Sequence, residues 1–416
     1  LAPLFLLGIG GGVLTGYLER THVGASGAEW NYSVVERVLI AGRAVWFYAG
    51  KLVWPVDLAF MYGKWRIDSR AAWQWFFPTA AVVVVVMLFV LRKRIGRGPV
   101  VAVLFFVGTL APALGFVNVY PMRYTFVADH YQYHASVGLI ALLAAVLTTL
   151  YHRVGMGRRG LRGAPAACAV LLPLFVLTWR QASIYRDRQT LWSDTLAKVP
   201  DSWMAWIHLG NVAATRAPPD KATARAYWLK ALKLNPNVAD THYNMGVAYA
   251  DADDYSSAAA EFRRAIELEP HKADPRNMLG LSLAGLGRVD EGIAVYREAI
   301  AIEPYHWKSH FNLGIALEKK GELDAAVAQF STASELNPRY APALRELANC
   351  FIKTRRYTQA EGPLRRLVEL RPDDADALFD LGTVLSLQQR FGEAQPFLLK
   401  AFSIKPELQG RLRGKG

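Results

Sequence analysis

Residues 307–338 read WKSHFNLGIALEKKGELDAAVAQFSTASELNP, and this stretch decides the fold because its parts return at a fixed step. The proline that closes it is one of six, Pro236, Pro270, Pro304, Pro338, Pro372 and Pro406, spaced 34 residues apart. The interior keeps the same step. Leu313-Gly314 has counterparts in Trp206-Leu209-Gly210, Met245-Gly246, Leu279-Gly280, Leu347-Ala348 and Leu381-Gly382, a large residue followed by a small one. Small residues recur at Ala258, Gly292, Ala326, Ala360 and Ala394, where two helices must approach closely, and Phe262, Tyr296, Phe330, Leu364 and Leu398 then fill the gap between neighbours. Proline donates no backbone N–H and cannot continue a helix, so one proline per period marks the turn between consecutive helix pairs.

A 34-residue period with this pattern is the signature of the tetratricopeptide repeat. It predicts an all-α solenoid of six repeats over 203–406, with two extra residues near Ala217-Pro218-Pro219 accommodated in a loop of the first. Each helix pair finds its core in its neighbours, and the curvature leaves a concave groove lined by the first (A) helices. At one equivalent position those helices offer His208, Asn244, Met278, Asn312, Glu346 and Asp380. Two readings stand: a polar, solvated helix face, or a groove that holds a peptide through His208, Asn244, Asn312, Glu346 and Asp380. Asn244 and Asn312 resemble the backbone-gripping asparagines of sugar-transferring tetratricopeptide proteins, since an amide both donates and accepts. The other positions depart from that ladder. Residues 181–202 read as a linker and 407–416 as a basic tail.

With 52% hydrophobic residues among 416, and 48 Lys plus Arg against 35 Asp plus Glu, the chain is neither disordered nor a disulfide-built miniprotein, for which its two cysteines, Cys168 and Cys350, would not suffice. The net charge of +13 is unevenly placed: +12 belongs to residues 1–200 and +1 to the rest. The basic half also holds the long apolar runs. Cations beside apolar runs read as membrane-loop charge before they read as a nucleic-acid surface, so no nucleic-acid partner is expected.

A spanning helix needs about 20 apolar residues, because about 30 Å of hydrocarbon is crossed at 1.5 Å per residue. Segments 2–18, 71–91, 99–119, 135–151 and 164–179 meet that test, which predicts a multi-spanning membrane domain over 1–180. Arg92, Lys93, Arg94 and Arg97 mark one loop as cytoplasmic, and Arg153, Arg158, Arg159 and Arg162 mark another. The loop 120–134 and the repeats then lie outside. Segment 33–55 carries Arg43 and Lys51 among Trp46, Phe47, Tyr48 and Trp54, the composition of a helix lying at the headgroups, although a spanning or re-entrant course is the alternative. Leu1 opens within an apolar run, so the chain reads as the C-terminal portion of a larger membrane protein.

Three motifs go beyond composition: Ala41-Gly42-Arg43-Ala44-Val45-Trp46-Phe47-Tyr48 with Lys51-Leu52-Val53-Trp54-Pro55; Tyr62 with Trp65; and Tyr120-Pro121-Met122-Arg123-Tyr124 leading to Val127-Ala128-Asp129-His130-Tyr131-Gln132-Tyr133 and Ser136-Val137-Gly138. Together with the repeats they resemble bacterial relatives of the transmembrane-and-tetratricopeptide protein O-mannosyltransferases, of the multi-spanning C-type glycosyltransferase superfamily. The resemblance implies transfer of a sugar from a polyprenyl-phosphate carrier to protein hydroxyls at the outer face of the bacterial cytoplasmic membrane. It implies a catalytic acidic residue in a first outer loop, upstream of Leu1. Eukaryotic relatives place Glu-Arg where this chain has Asp129-His130, so a permanent charge becomes a titratable one.

The residues support part of this independently. Arg43, Lys51, Arg123, Asp129 and His130 are candidates for binding a donor phosphate or lipid: arginine suits a bidentate phosphate contact, and His130 becomes a cation when a carboxylate such as Asp129 raises its pKa. Against this, Arg43 and Lys51 could snorkel to headgroups, and Asp129 and His130 could cap the span beginning at Ala135. No cofactor is implied beyond a lipid-linked sugar as substrate, and no metal site is expected. Two functions compete: a lipid-linked-sugar glycosyltransferase whose repeats present acceptor proteins, and a non-enzymatic membrane-anchored scaffold for protein partners.

Overall fold

The computed structural model describes residues 14, 17–18, 31–116, 125–128, 133–153 and 163–413. Every regular element among them is helical. The chain divides into two compact units, Leu1–Leu234 and Asn235–Gly416.

The N-terminal unit begins its described core with α1 (Val34–Val53), opened by a reciprocal cap in which Ser33 Oγ accepts from the Glu36 N–H and Glu36 accepts from the Ser33 N–H. Leu39, Ile40, Ala41, Gly42, Ala44 and Tyr48 form its buried face. Of these, Ala41, Ala44 and Tyr48 pack with Phe106, Leu110, Leu114, Val127 and Ala135, and the Tyr48 hydroxyl accepts from the Ala128 N–H at 3.0 Å. Segment 33–55 is thus built on a helix that packs one face into the core of this unit. A Cβ on Gly42 would stand 2.5 Å from the nitrogen of Pro78, so only glycine lets α1 meet the start of α2 (Phe76–Ile95).

A 3-10 turn, Ala72–Trp75, runs into α2, and the joint stretch Ala72–Ile95 is the one helix among the described residues long and apolar enough to cross a membrane. Val82, Val83, Val86, Phe89 and Val90 are exposed along it. The expected span 99–119 is instead α3 (Gly98–Leu110), whose 13 residues reach about 20 Å. The next turn, Ala111–Ala113, contains a proline, which supplies no N–H for a further helical bond, and Gly115 at φ +89° turns the chain away. In α4 (Tyr133–Arg153) the apolar part, His134–Thr149, is likewise short for a span. Helix α5 (Gly163–Ser183) carries Pro173 in its interior. The expected span 2–18 lies outside the described residues apart from Leu14, Tyr17 and Leu18, as do Arg158, Arg159 and Arg162.

The segment read as a linker contains α6 (Arg188–Lys198), capped by the Asp187 carboxylate accepting from the Thr190 N–H at 2.7 Å. Its Trp192 packs with Ala205 and Leu209 of α7 (Trp203–Thr215) and with Phe60 and Met61 from the loop after α1. Lys198 Nζ donates to the Leu58 carbonyl at 2.6 Å. The first repeat, α7 with α8 (Lys221–Leu234), is thus built into the N-terminal unit.

The C-terminal unit is a tetratricopeptide solenoid of five helix pairs: α9 (Ala239–Ala250) with α10 (Tyr255–Leu268), α11 (Ala273–Gly285) with α12 (Val289–Ile302), α13 (Trp307–Lys319) with α14 (Leu323–Leu336), α15 (Ala341–Lys353) with α16 (Tyr357–Leu370), and α17 (Ala375–Leu387) with α18 (Phe391–Ile404). A short α19 (Leu408–Arg413) buries Leu408 against Phe379 and Ala401. Each pair closes on a notch. A Cβ on Gly246, Gly280 or Gly314 would lie 2.6 Å from the ring of Phe262, Tyr296 or Phe330 of the same pair, and on Gly382 2.6 Å from Leu398. Where the small residue is Ala348, the partner is Leu364, a smaller side chain than the phenyl or phenol rings.

Two further devices repeat. At the fourth position of the A helix a side-chain donor reaches back six residues to the proline carbonyl: His242 Nε2 to Pro236 at 2.9 Å, Arg276 to Pro270 at 2.8 Å, and His310 Nε2 to Pro304 at 3.0 Å. In each A-to-B turn one residue is left-handed: Asp253, Gly287, Gly321, Arg355 and Gln389, at φ between +59° and +81°.

Two stability outcomes are expected. Gly314→Ala should destabilise by about 1 to 3 kcal/mol through overpacking, and adding Phe330→Leu should recover part of the loss; hydrogen exchange in α13 and α14 and the unfolding midpoint check this, with additivity of the two changes as the contrary result. Gln389→Gly should stabilise by about 1 kcal/mol, because a Cβ is unfavourable at positive φ, whereas Gly321→Ala should cost about as much; a lower unfolding midpoint for Gln389→Gly would contradict the strain.

Candidate functional site

In the C-terminal unit successive A helices touch directly along α9, α11 and α13, while successive B helices meet less, so the A helices line the inner side. Asn312 Nδ2 on α13 donates to Asn277 Oδ1 on α11 at 2.8 Å, which joins two neighbouring repeats; Asn277 is buried there, and the half-buried Asn312 keeps its amide oxygen for a further partner. Arg345 donates to the Asp374 carboxylate at 2.5 Å, and Lys353 to Glu318 at 2.5 Å, both between consecutive repeats. Glu346 accepts from Asn349 at 3.1 Å.

Of the candidate groove residues, Asn244, Asn312, Glu346 and Asp380 are half-buried on A helices of this unit. His208 lies in the N-terminal unit, stacked on Trp192 with ring centroids 4.1 Å apart and 9° between planes. Burial, with the Arg188 charge, holds its pKa below the ordinary value, so it serves as a packed, neutral ring there. Asn277 escaped the sequence reading because it stands one place before the chosen column, at Met278. The signal was present: in the column Tyr243, Asn277, Phe311, Arg345, Phe379 it is an amide between aromatics, and it is buried.

The N-terminal candidates separate sharply. Lys51 Nζ donates to the carbonyls of Val56 at 2.5 Å and Asp57 at 3.1 Å, so two of its donors close the loop after α1. Arg43 is half-buried, with its guanidinium carbon 4.4 Å from the centroid of Trp65, 5.9 Å from Trp73 and 6.0 Å from Phe77. Arg123, Asp129 and His130 lie outside the described residues. Among the described residues no group of three or more His, Cys, Asp or Glu could hold a metal. Burial pushes the Cys350 thiol up to about 11, which makes it a core residue and a poor nucleophile.

A tetratricopeptide-repeat family model matches residues 220–275, 243–306, 277–341, 311–374 and 345–406, so the array from 220 to 406 consists of tetratricopeptide repeats. No curated protein sequence matches the chain. Solved structures similar to it include PilF of Pseudomonas aeruginosa, at 22% identity and a TM-score of 0.45, over 51% of this chain and 97% of that one. YrrB, a tetratricopeptide protein with a peptide-binding site, is 22% identical with a TM-score of 0.37, over 45% and 95% of the two chains. MamA of Desulfovibrio magneticus is 16% identical with a TM-score of 0.37, over 41% and 96%.

One titration follows from the geometry. His242 Nδ1 is 2.6 Å from Glu261 Oε2 while Nε2 faces the Pro236 carbonyl, so only the imidazolium donates to both. Burial opposes the charge, but the bonds to Glu261 and Pro236 and the Glu261 carboxylate outweigh it and the nearby Arg264, leaving the pKa above its ordinary 6.5. The stabilisation is then complete below the unfolded pKa of about 6.5 and is lost as pH rises through the folded value. Unfolding midpoints from about pH 5.5 to about 8.5 should fall more steeply for the native chain than for His242→Gln; parallel profiles would contradict the pairing.

Proposed function

We propose that this chain is a membrane-held adaptor whose repeat array binds an extended segment of a protein partner along the inner side of the C-terminal unit. The array is a protein-interaction fold, and the Asn277–Asn312 rung carries the reading: the half-buried Asn312, fixed between repeats by the buried Asn277, keeps an amide oxygen that can accept from a peptide backbone. A photo-reactive residue at Leu281, exposed on α11, should form an adduct in cells that one at Glu298 on α12 does not. Asn312→Ala should reduce that adduct by about threefold or more, the worth of a hydrogen bond. Equal labelling at both positions would overturn the groove as the binding face.

The membrane placement is part of the proposal. It rests on the outward-facing apolar surface of Ala72–Ile95 and on Arg92, Lys93 and Arg94 at one end of that helix, an end that favours the cytoplasm. The repeats would then stand on the outer side of a bacterial cytoplasmic membrane. Single cysteines at Arg94 and Glu298 in intact cells test this with an impermeant thiol reagent: labelling at Glu298 and none at Arg94 is expected, and the reverse pattern would sink it.

The finer reading, transfer of a sugar from a polyprenyl-phosphate donor to a protein bound by the repeats, is supported by the motifs around Arg43, Tyr62 and Trp65 and by an Arg43 without an anionic partner among the described residues. Sugar transfer from a defined lipid-linked donor in purified membranes tests it. Binding without transfer, by the complete protein, would leave the adaptor.

A further inference from the structure

In the C-terminal unit each B helix but the last is covered by the pair that follows. Tyr255, Val289, Leu323 and Tyr357 stand at one equivalent position, 34 residues apart, and all are half-buried. A Cβ on Gly285 of α11 would lie 2.8 Å from the Tyr255 ring, and Tyr357 packs into the cluster that holds Leu381, Val384 and Leu385 of α17. The next residue of this series is Phe391 of α18, which is 66% exposed. Leu399 is 59% exposed at a position that reads Arg263, Arg297, Ser331 and Arg365 in the earlier pairs. Midway between them lies the exposed Gln395. Helix α19 shelters the other end of this face, where Leu408 packs with Ala401 and Phe402.

The outer face of a terminal repeat is ordinarily polar, because nothing stacks on it. That of α18 is apolar and, at its centre, uncharged. The three preceding B helices each give the following pair a carboxylate: Asp290 to Lys320, Asp324 to Arg356 and Glu361 to Arg390. Helix α18 has Gly392 at the place of Asp290 and Asp324, and Gln395 at that of Glu361, so a further repeat of this kind would find no acid there for its cation. The charges at the rim are satisfied within the chain. Arg390 pairs with Glu361 and Glu393, and Lys400 with Asp373 at 3.0 Å.

This pattern fits a second copy of the same face. Phe391 and Leu399 lie four residues to either side of Gln395, about 6 Å each way along the helix. Two α18 helices crossing antiparallel at Gln395 bring Phe391 of each against Leu399 of the other. At the axis a side chain meets its own copy. A primary amide both donates and accepts, so Gln395 pairs with itself where a carboxylate such as Glu361 would repel.

We propose that two copies of this chain associate end to end through α18, in an isologous contact centred on Gln395 with Phe391 packed on Leu399 across it. The contact is separate from the inner face and gives one assembly two such faces, so that a partner carrying two segments is held by both.

The test is co-purification of two differently tagged copies of the full chain in uncharged detergent. Phe391→Lys and Leu399→Glu should each lower it by about tenfold or more, since each buries an unpaired charge. A Phe391→Lys copy mixed with a Leu399→Glu copy should recover it, because the new charges then meet. Tyr305→Glu, in an exposed turn of the same unit, should co-purify as the native chain does. Gln395→Cys should join two copies by a disulfide under mild oxidation, with the native chain and its two cysteines as the blank. Native copies that fail to co-purify, or do so equally in both charged variants, would overturn the proposal, as would a mixed pair that does not recover. A native chain that stays single, while Phe391→Lys loses some other bound protein, would give the face to a different partner and overturn the second copy. Thermal unfolding of each variant shows that lost association is not lost folding.

Discussion

The solenoid depends on how closely two helices of a pair can approach. Gly246, Gly280 and Gly314 leave room for the rings of Phe262, Tyr296 and Phe330, and a single methyl group would overlap those rings. Once the ring is seated, the tilt of the pair is fixed, and the next pair meets a surface of defined shape. The inner face inherits its spacing from this. Asn312 reaches Asn277 only because α11 and α13 are held at a constant distance by their own notches. The same constraint operates in the N-terminal unit, where Gly42 admits Pro78 and Gly138 admits the carbonyl of Ala102.

Polar satisfaction then divides the repeats into two kinds. In the pairs opened by His242, Arg276 and His310, the proline carbonyl of the preceding turn has a side-chain donor. In the last two pairs the equivalent positions are Leu344 and Leu378, both buried, and Asp374 orders the final turn by accepting from the Ala377 N–H and from Arg345. The earlier turns are held by hydrogen bonds and the later positions by apolar packing. Among the former, His242 is paired with a carboxylate as well as a carbonyl, so that two acceptors demand two protons on one ring.

The N-terminal unit shows why residue type alone does not assign a ligand. Arg43 and Lys51 stand on the same helix among the same aromatic residues, yet the loop after α1 folds back to give Lys51 two carbonyls and gives Arg43 the ring face of Trp65. One cation closes a loop; the other lies over a ring. The loop's Phe60 and Met61 also pack on α6 and α7, so the same backbone course that occupies Lys51 ties the first repeat to its unit.

The number and register of the repeats were legible in the sequence, because a Gly–aromatic notch requires a fixed spacing and proline marks each turn. Helix Ala72–Ile95 was legible for a similar reason: an uninterrupted apolar run declares its length. The end of α3 at Leu110 was encoded too, in the proline and glycine that follow, but it was masked by the hydropathy of the surrounding residues. What the sequence could not determine was which side chains meet across repeats. Asn277 and Asn312 are 35 positions apart, and their bond exists only because packing brings two A helices together. Nor could it separate Arg43 from Lys51, or place His208 against Trp192, since those fates depend on where distant backbone and rings come to rest. Local periodicity fixes elements through short-range sterics, whereas the partner of a polar group is settled by the long-range packing that surrounds it.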